Sequence, residues 1–107
     1  MRRKFGNVKT VVDGITFDSK LEAKRYQELM LMQKAGLISE LVLQEAFIVI
    51  PKQQGERATI YKADFSYRDE NGQKIVEDSK GMRTADYVIK RKLMLFVHHI
   101  KISEVSQ

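Results

Sequence analysis

The 107-residue chain predicts a single α/β domain, on three observations. Short stretches rich in β-branched and alternating apolar residues recur along it. Two longer stretches carry helical spacing together with their own start and stop signals. These two kinds of segment interleave instead of segregating, in the order hairpin, helix, three strands, helix, strand. With one proline and no repeat or low-complexity stretch, nothing marks a linker, so residues 1–107 are expected to form one domain.

Each element has a local cause. "VKTVVDGITFDS" predicts strands around 8–12 and 15–17 joined at Asp13-Gly14, because both turn residues tolerate positive φ. "SKLEAKRYQELMLMQKAG" predicts a helix over 19–35. Ser19 is placed to cap it, Glu22 follows at the capping-box position, and Gly36 stands just past its end. "LVLQEAFIVIP" predicts a strand over 41–51 that stops at Pro51. "TIYKADFSYR" (59–68) and "QKIVEDSK" (73–80) predict a hairpin around the turn cluster "DENG", with Gly81 breaking the second strand. Thr84 is placed to cap a second helix over 85–98, with Ile89, Leu93, Phe96 and Val97 as its apolar stripe. "IKISEV" at 100–105 predicts the last strand.

Composition narrows the function. The longest apolar runs, "AFIVI" and "LMLFV", are too short to span a bilayer, and "MRRKFG" is followed by no apolar signal segment, so no membrane partner is expected. The absence of cysteine excludes disulfides and thiolate metal sites and fits a cytoplasmic protein. His98 and His99 are adjacent, which suits packing and a helix C-terminus better than two ligands on one metal. Any metal is then held by oxygen, which selects a hard cation such as Mg²⁺ or Mn²⁺. The net charge of +5 favours a polyanionic partner. Positive charge gathers at Arg2, Arg3 and Lys4, and again from Lys80 to Lys101, where Lys80, Arg83, Lys90, Arg91, Lys92 and Lys101 face the single acid Asp86.

The candidate site lies where charge enters strands. Asp64 stands between Ala63 and Phe65, inside a strand where aspartate is disfavoured. If 59–68 and 73–80 pair, Asp64 comes near Asp78 and Lys80, which share a face because they are two apart. Two carboxylates with the backbone carbonyl of Ser79 form an oxygen set suited to Mg²⁺, and the lysine is placed to orient water or neutralise developing charge. Glu22, on the first helical turn, is either a cap alone or a third acid of this site. Lys20, Lys24 and Arg25 surround it, while Arg91 and Lys92 are expected on phosphate.

A helix-borne Glu followed by a strand Asp and an Asp-x-Lys resembles the PD-(D/E)XK nuclease superfamily. "ADF" (63–65) stands where that superfamily has Pro-Asp, with Ala63 replacing the proline, and "DSK" (78–80) matches (D/E)-x-K. "SKLE" looks like the first-helix glutamate of its Holliday-junction-resolvase and transposase-endonuclease branches. "FDSKLEAKRY", "YKADFSY", "VEDSKG" and "YVIKRKL" together resemble a family of small phage and prophage proteins placed in this superfamily, over roughly 15–105.

The resemblance implies a restriction-endonuclease-like core (α-β-β-β-α-β, a mixed sheet flanked by helices) behind an N-terminal β-hairpin. It implies a divalent-metal-dependent endonuclease acting on branched or structured DNA as a homodimer, in the host cytoplasm if phage-encoded. Glu22, Asp64, Asp78 and Lys80 would be catalytic, with Glu22, Asp64, Asp78 and the Ser79 carbonyl on the metal, and Gln44 is either a surface glutamine or a polar residue facing the site. Lys20, Lys24, Arg25, Arg83, Lys90, Arg91 and Lys92 would contact DNA. Glu77 competes with Asp78 for the ligand position, but strand alternation turns it away from Lys80. The alternative is a basic DNA-binding replication-accessory protein that keeps the fold without turnover.

Overall fold

The computed structural model describes residues 8–79 and 83–105. The basic residues Arg2, Arg3 and Lys4, the candidate catalytic Lys80 and the strand-breaking Gly81 lie outside the described residues.

β1 (Thr10–Val12) and β2 (Ile15–Phe17) form the N-terminal hairpin. Val12 pairs with Ile15 around a two-residue turn in which Asp13 and Gly14 have φ of 53° and 77°, the left-handed values such a hairpin requires. α1 (Lys20–Lys34) starts at Ser19, whose hydroxyl accepts from the Glu22 N–H at 3.1 Å. The chain leaves α1 through Gly36 at φ 81°. The Glu22 carboxylate accepts from Asp18 N–H at 3.3 Å, one residue before the cap, so the reciprocal bond of the capping box is displaced.

A four-stranded mixed sheet forms the centre, in the order β3 (Ser39–Leu43), β6 (Phe65–Arg68), β7 (Lys74–Ser79), β8 (Ser103–Val105). β3–β6 and β6–β7 are antiparallel, and β8 runs parallel to β7 after the crossover through α2 (Ala85–His98). Asp69 organises the β6–β7 turn, its Oδ1 accepting from the N–H groups of Asn71 and Gln73. α1 covers one face, burying Ala23, Tyr26 and Leu29 against Phe17, Phe65 and Tyr67. α2 covers the other with β4 (Ala46–Ile50) and β5 (Thr59–Lys62), around Val49, Tyr61, Val76, Tyr87, Met94 and Ile102. Burying a side chain such as Phe65 or Leu29 contributes roughly 2–3 kcal/mol, so these two layers fix α1 and α2 against the sheet.

Two expectations change. The strands predicted over 41–51 and 59–68 are each interrupted, the first at Gln44-Glu45 and the second at Ala63-Asp64. Gln44 adopts φ 58°, a left-handed value outside the extended range of a regular strand. The two chains nonetheless stay bonded through the break, by Gln44 N–H to Asp64 O (3.2 Å) and Ala63 N–H to Glu45 O (3.0 Å). The result is one bent hairpin whose inner half, β3 and β6, joins the sheet while its outer half, β4 and β5, leaves as an arm against α2. Asp64 therefore sits at the bend, outside regular strand.

The second change concerns α2. Tyr87 and Met94 are its buried residues and Leu93 is half-buried, whereas the expected stripe residues Ile89 and Phe96 are 58% and 81% exposed and Val97 is exposed as well. α2 is apolar on more than one side, and the sheet and arm take the side bearing Tyr87 and Met94. Thr84 caps α2 as expected, accepting from Tyr87 N–H at 3.1 Å. His99 ends it in the left-handed conformation, and His98 packs edge-on to Phe47.

Candidate functional site

Continuing the β6–β7 register one residue beyond Phe65↔Glu77 sets Asp64 against Asp78. The two side chains are neighbours across this register, near enough for the charge of Asp78 to act on the Asp64 carboxyl. Asp64 Oδ2 also accepts the Ser79 N–H at 2.7 Å, and Asp78 Oδ2 accepts the Tyr61 hydroxyl at 2.6 Å. Asp78 is 2% exposed, and Asp64 is half-buried. Burial, then the charge of Asp78, pushes the Asp64 carboxyl up to about 8. Glu22 arrives from the first turn of α1, buried, near enough for Asp64 and Asp78 to act on its carboxyl and with its Oε2 3.4 Å from Gln44 Nε2. Burial and the charge of Asp18 raise its carboxyl too, against the bond from the Asp18 N–H.

Thus Glu22, Asp64 and Asp78 converge, and Gln44 stands beside them. Ser79 reaches the group through its N–H, which donates to Asp64. Asp64 and Asp78 line a cleft of about 460 Å³. Its walls are Ile60, Tyr61 and Lys62 from the arm and Thr84, Asp86, Tyr87 and Lys90 from the first turns of α2.

Alternation along β7 separates Asp78 from its neighbour. Glu77 points to the α1 face, 1% exposed, where Arg25 Nε and Nη2 reach its two oxygens at 2.8 and 2.7 Å and Tyr67 donates a further bond. Burial, then the Glu77 carboxylate, pushes the Tyr67 phenol up to about 12. Arg25 also reaches Glu28 at 3.1 Å. It clamps α1 onto β7 one turn from Glu22, so its guanidinium is engaged within the protein and not turned towards a cleft.

The other expected cations divide in the same way. Arg83 and Arg91 both reach Glu104 on β8, at 2.7 and 2.9 Å. With the Tyr87 hydroxyl at 2.6 Å, these partners hold the Glu104 carboxyl down at about 2. Lys90 makes a longer contact with Asp86, 3.5 Å, and lines the cleft. Lys20, Lys24 and Lys92 are exposed. Tyr61 and Lys62 were not singled out from the sequence, although "YKAD" places both within three residues of Asp64. The spacing was visible there, but the bend that turns this segment around the carboxylates was not.

Magnesium can be tested against these donors. Among the described residues, no group of three or more His, Cys, Asp and Glu side chains forms a ready metal cage. Mg²⁺ is commonly held by one or two carboxylates and completed by water and substrate phosphate, and hard oxygen donors suit it. Asp64 and Asp78 supply such a pair, and two neighbouring carboxyls shielded from water favour a proton or a cation between them. The donor set fits.

Residues 2–105 match the family described as "Protein of unknown function (DUF1064)". The chain belongs to that family. Its description carries no activity, and the match covers every element of the fold. No curated protein and no solved structure matches the chain. Among the described residues, no helix is long and apolar enough to cross a membrane.

Proposed function

We propose that this member of the DUF1064 family is a divalent-metal-dependent endodeoxyribonuclease of the PD-(D/E)XK kind. The observation that carries the reading is the cross-strand adjacency of Asp64 and Asp78, two carboxyls that line one open cleft. The order α1-β3-β6-β7-α2-β8, with β8 parallel to β7, supports a restriction-endonuclease-like core.

In this reading Asp64 and Asp78 hold Mg²⁺ or Mn²⁺, with Glu22 adjacent. The ion would supply Lewis acidity towards a phosphodiester and a more acidic bound water. Tyr61 fixes the Asp78 carboxylate through its hydroxyl, and Ser79 fixes Asp64. Lys80 supplies positive charge to the reacting phosphate. Branched or structured DNA is the proposed substrate, and the cytoplasm, of a host cell for a phage-encoded protein, the proposed location. Two cuts by one site per chain require two copies, and the exposed Ile89, Phe96 and Val97 of α2 offer an apolar face for a homodimer.

A second reading is a DNA-binding accessory protein without turnover, which Lys62 and Lys90 in the cleft walls favour equally. Incubation with four-way junction, flap, single-stranded and linear duplex DNA, each with Mg²⁺, Mn²⁺ or EDTA, separates the two. Metal-dependent nicking of any substrate supports the nuclease. Binding without cutting under every condition establishes the accessory protein.

A further inference from the structure

We infer that the nucleic-acid backbone is gripped at the mouth of the cleft by Lys62 of the β4–β5 arm together with Lys90 of α2, and not by the arginines that sequence reasoning favours. This rests on the reading of the cleft as a DNA site. Arg25, Arg83 and Arg91 are occupied: the first closes a two-pronged pair with buried Glu77, and the other two share Glu104. Turning Arg25 to a phosphate would strand the buried Glu77, and turning Arg83 and Arg91 away together would strip Glu104 of both its cations. Lys62 has no such engagement. It is exposed, makes no ion pair among the described residues, and lies in the cleft wall two positions before Asp64.

Lys90 stands in the opposite wall, on the second turn of α2, with only the 3.5 Å contact to the 80%-exposed Asp86 side chain. A phosphate entering between these walls meets carboxyls on the floor and at Asp86. Without cations at the rim its approach would be repelled, so the two lysines are what makes the cleft complementary to a phosphodiester. The arm adds an apolar element. Ile48 and Ile60 face each other across its two strands, 54% and 40% exposed, and Ile60 lines the cleft beside Lys62. Such a pair suits contact with sugar and base edges next to a held phosphate, which a small inorganic anion would not use.

The test is fluorescence anisotropy with labelled duplex and four-way-junction oligonucleotides in EDTA, titrated with salt, so that binding is read apart from cleavage. Each lost phosphate contact lowers the slope of log K against log salt by about 1. Lys62→Ala should therefore lower the slope by about 1 and Lys62→Ala/Lys90→Ala by about 2, with a several-fold loss of affinity at low salt. Lys62→Arg should retain the wild-type slope, as should Lys34→Ala at the far end of α1. A folded Lys62→Ala protein with wild-type affinity and slope overturns the inference, as does a wild-type protein that binds neither oligonucleotide. Wild-type binding that depends on Lys62 without cleavage in any metal sustains it while removing the nuclease reading.

Discussion

Replacing Asp64 with asparagine should make the metal-free protein more stable. The folded Asp64 carboxyl stands at about 8 against an ordinary 3.8. Its folded value is raised, so the stability it contributes is complete below the unfolded value and is lost as pH rises through the folded one. Between these limits folding takes up a proton. At pH 7 that uptake costs about 4 kcal/mol at ~1.36 kcal/mol per unit. Relaxation of water in an open cleft reduces this to roughly 2 kcal/mol. Asparagine has the shape of the protonated acid, can accept the Ser79 N–H and donate to Asp78, and needs no proton. For a domain of this size roughly 2 kcal/mol corresponds to a rise in Tm of about 10 °C. Thermal melts of wild type and Asp64→Asn in EDTA between pH 4 and pH 9 check this. The variant's gain should grow from near zero at pH 4, level off from about pH 8 and stay level to pH 9. An Asp64→Asn protein that melts at or below wild type at pH 8, or whose gain is the same at pH 4, would refute a carboxyl pair sharing a proton. Adding Mg²⁺ at pH 8 should raise the wild-type Tm and leave that of the variant nearly unchanged.

Glu22→Gln separates capping from chemistry: a cap alone is worth up to about 1 kcal/mol and glutamine replaces it well, so an unchanged or slightly higher Tm with lost nicking assigns the charge to the site. A folded Glu22→Gln protein that nicks at the wild-type rate removes the residue from it. Under the proposed role, in which the lysine acts on phosphate and is not a ligand, Lys80→Ala should lower nicking by orders of magnitude while Mg²⁺ still raises Tm as in wild type. A near-wild-type rate would end that assignment. Arg25→Ala leaves Glu77 buried beside Tyr67 without its cation and should cost about 3 kcal/mol or more, read by urea denaturation. A small loss there, with a salt slope of DNA binding reduced by about 1, would return Arg25 to the DNA surface.

Local signals were legible in the sequence because their causes lie within a few residues. Asp13-Gly14 made its hairpin, Ser19 and Thr84 capped their helices, and Gly36 followed the end of α1. The period of two along β7 was enough to send Glu77 and Asp78 to opposite faces. What tertiary structure alone decided depends on groups far apart in the chain. Arg25 and Glu77 are separated by 52 residues, so no window around "EAKRY" reveals that this cation is engaged inside the protein. The two apolar sides of α2 are equally helical in pattern, and only the sheet and arm packed against it choose Tyr87 and Met94 over Ile89 and Phe96. The bend at Gln44 and Asp64 arises from two strands leaving the sheet together, each supplying the backbone bonds that satisfy the other. Neither segment encodes that break alone, yet it turns Tyr61 and Lys62 around the paired carboxyls and makes a cleft of them.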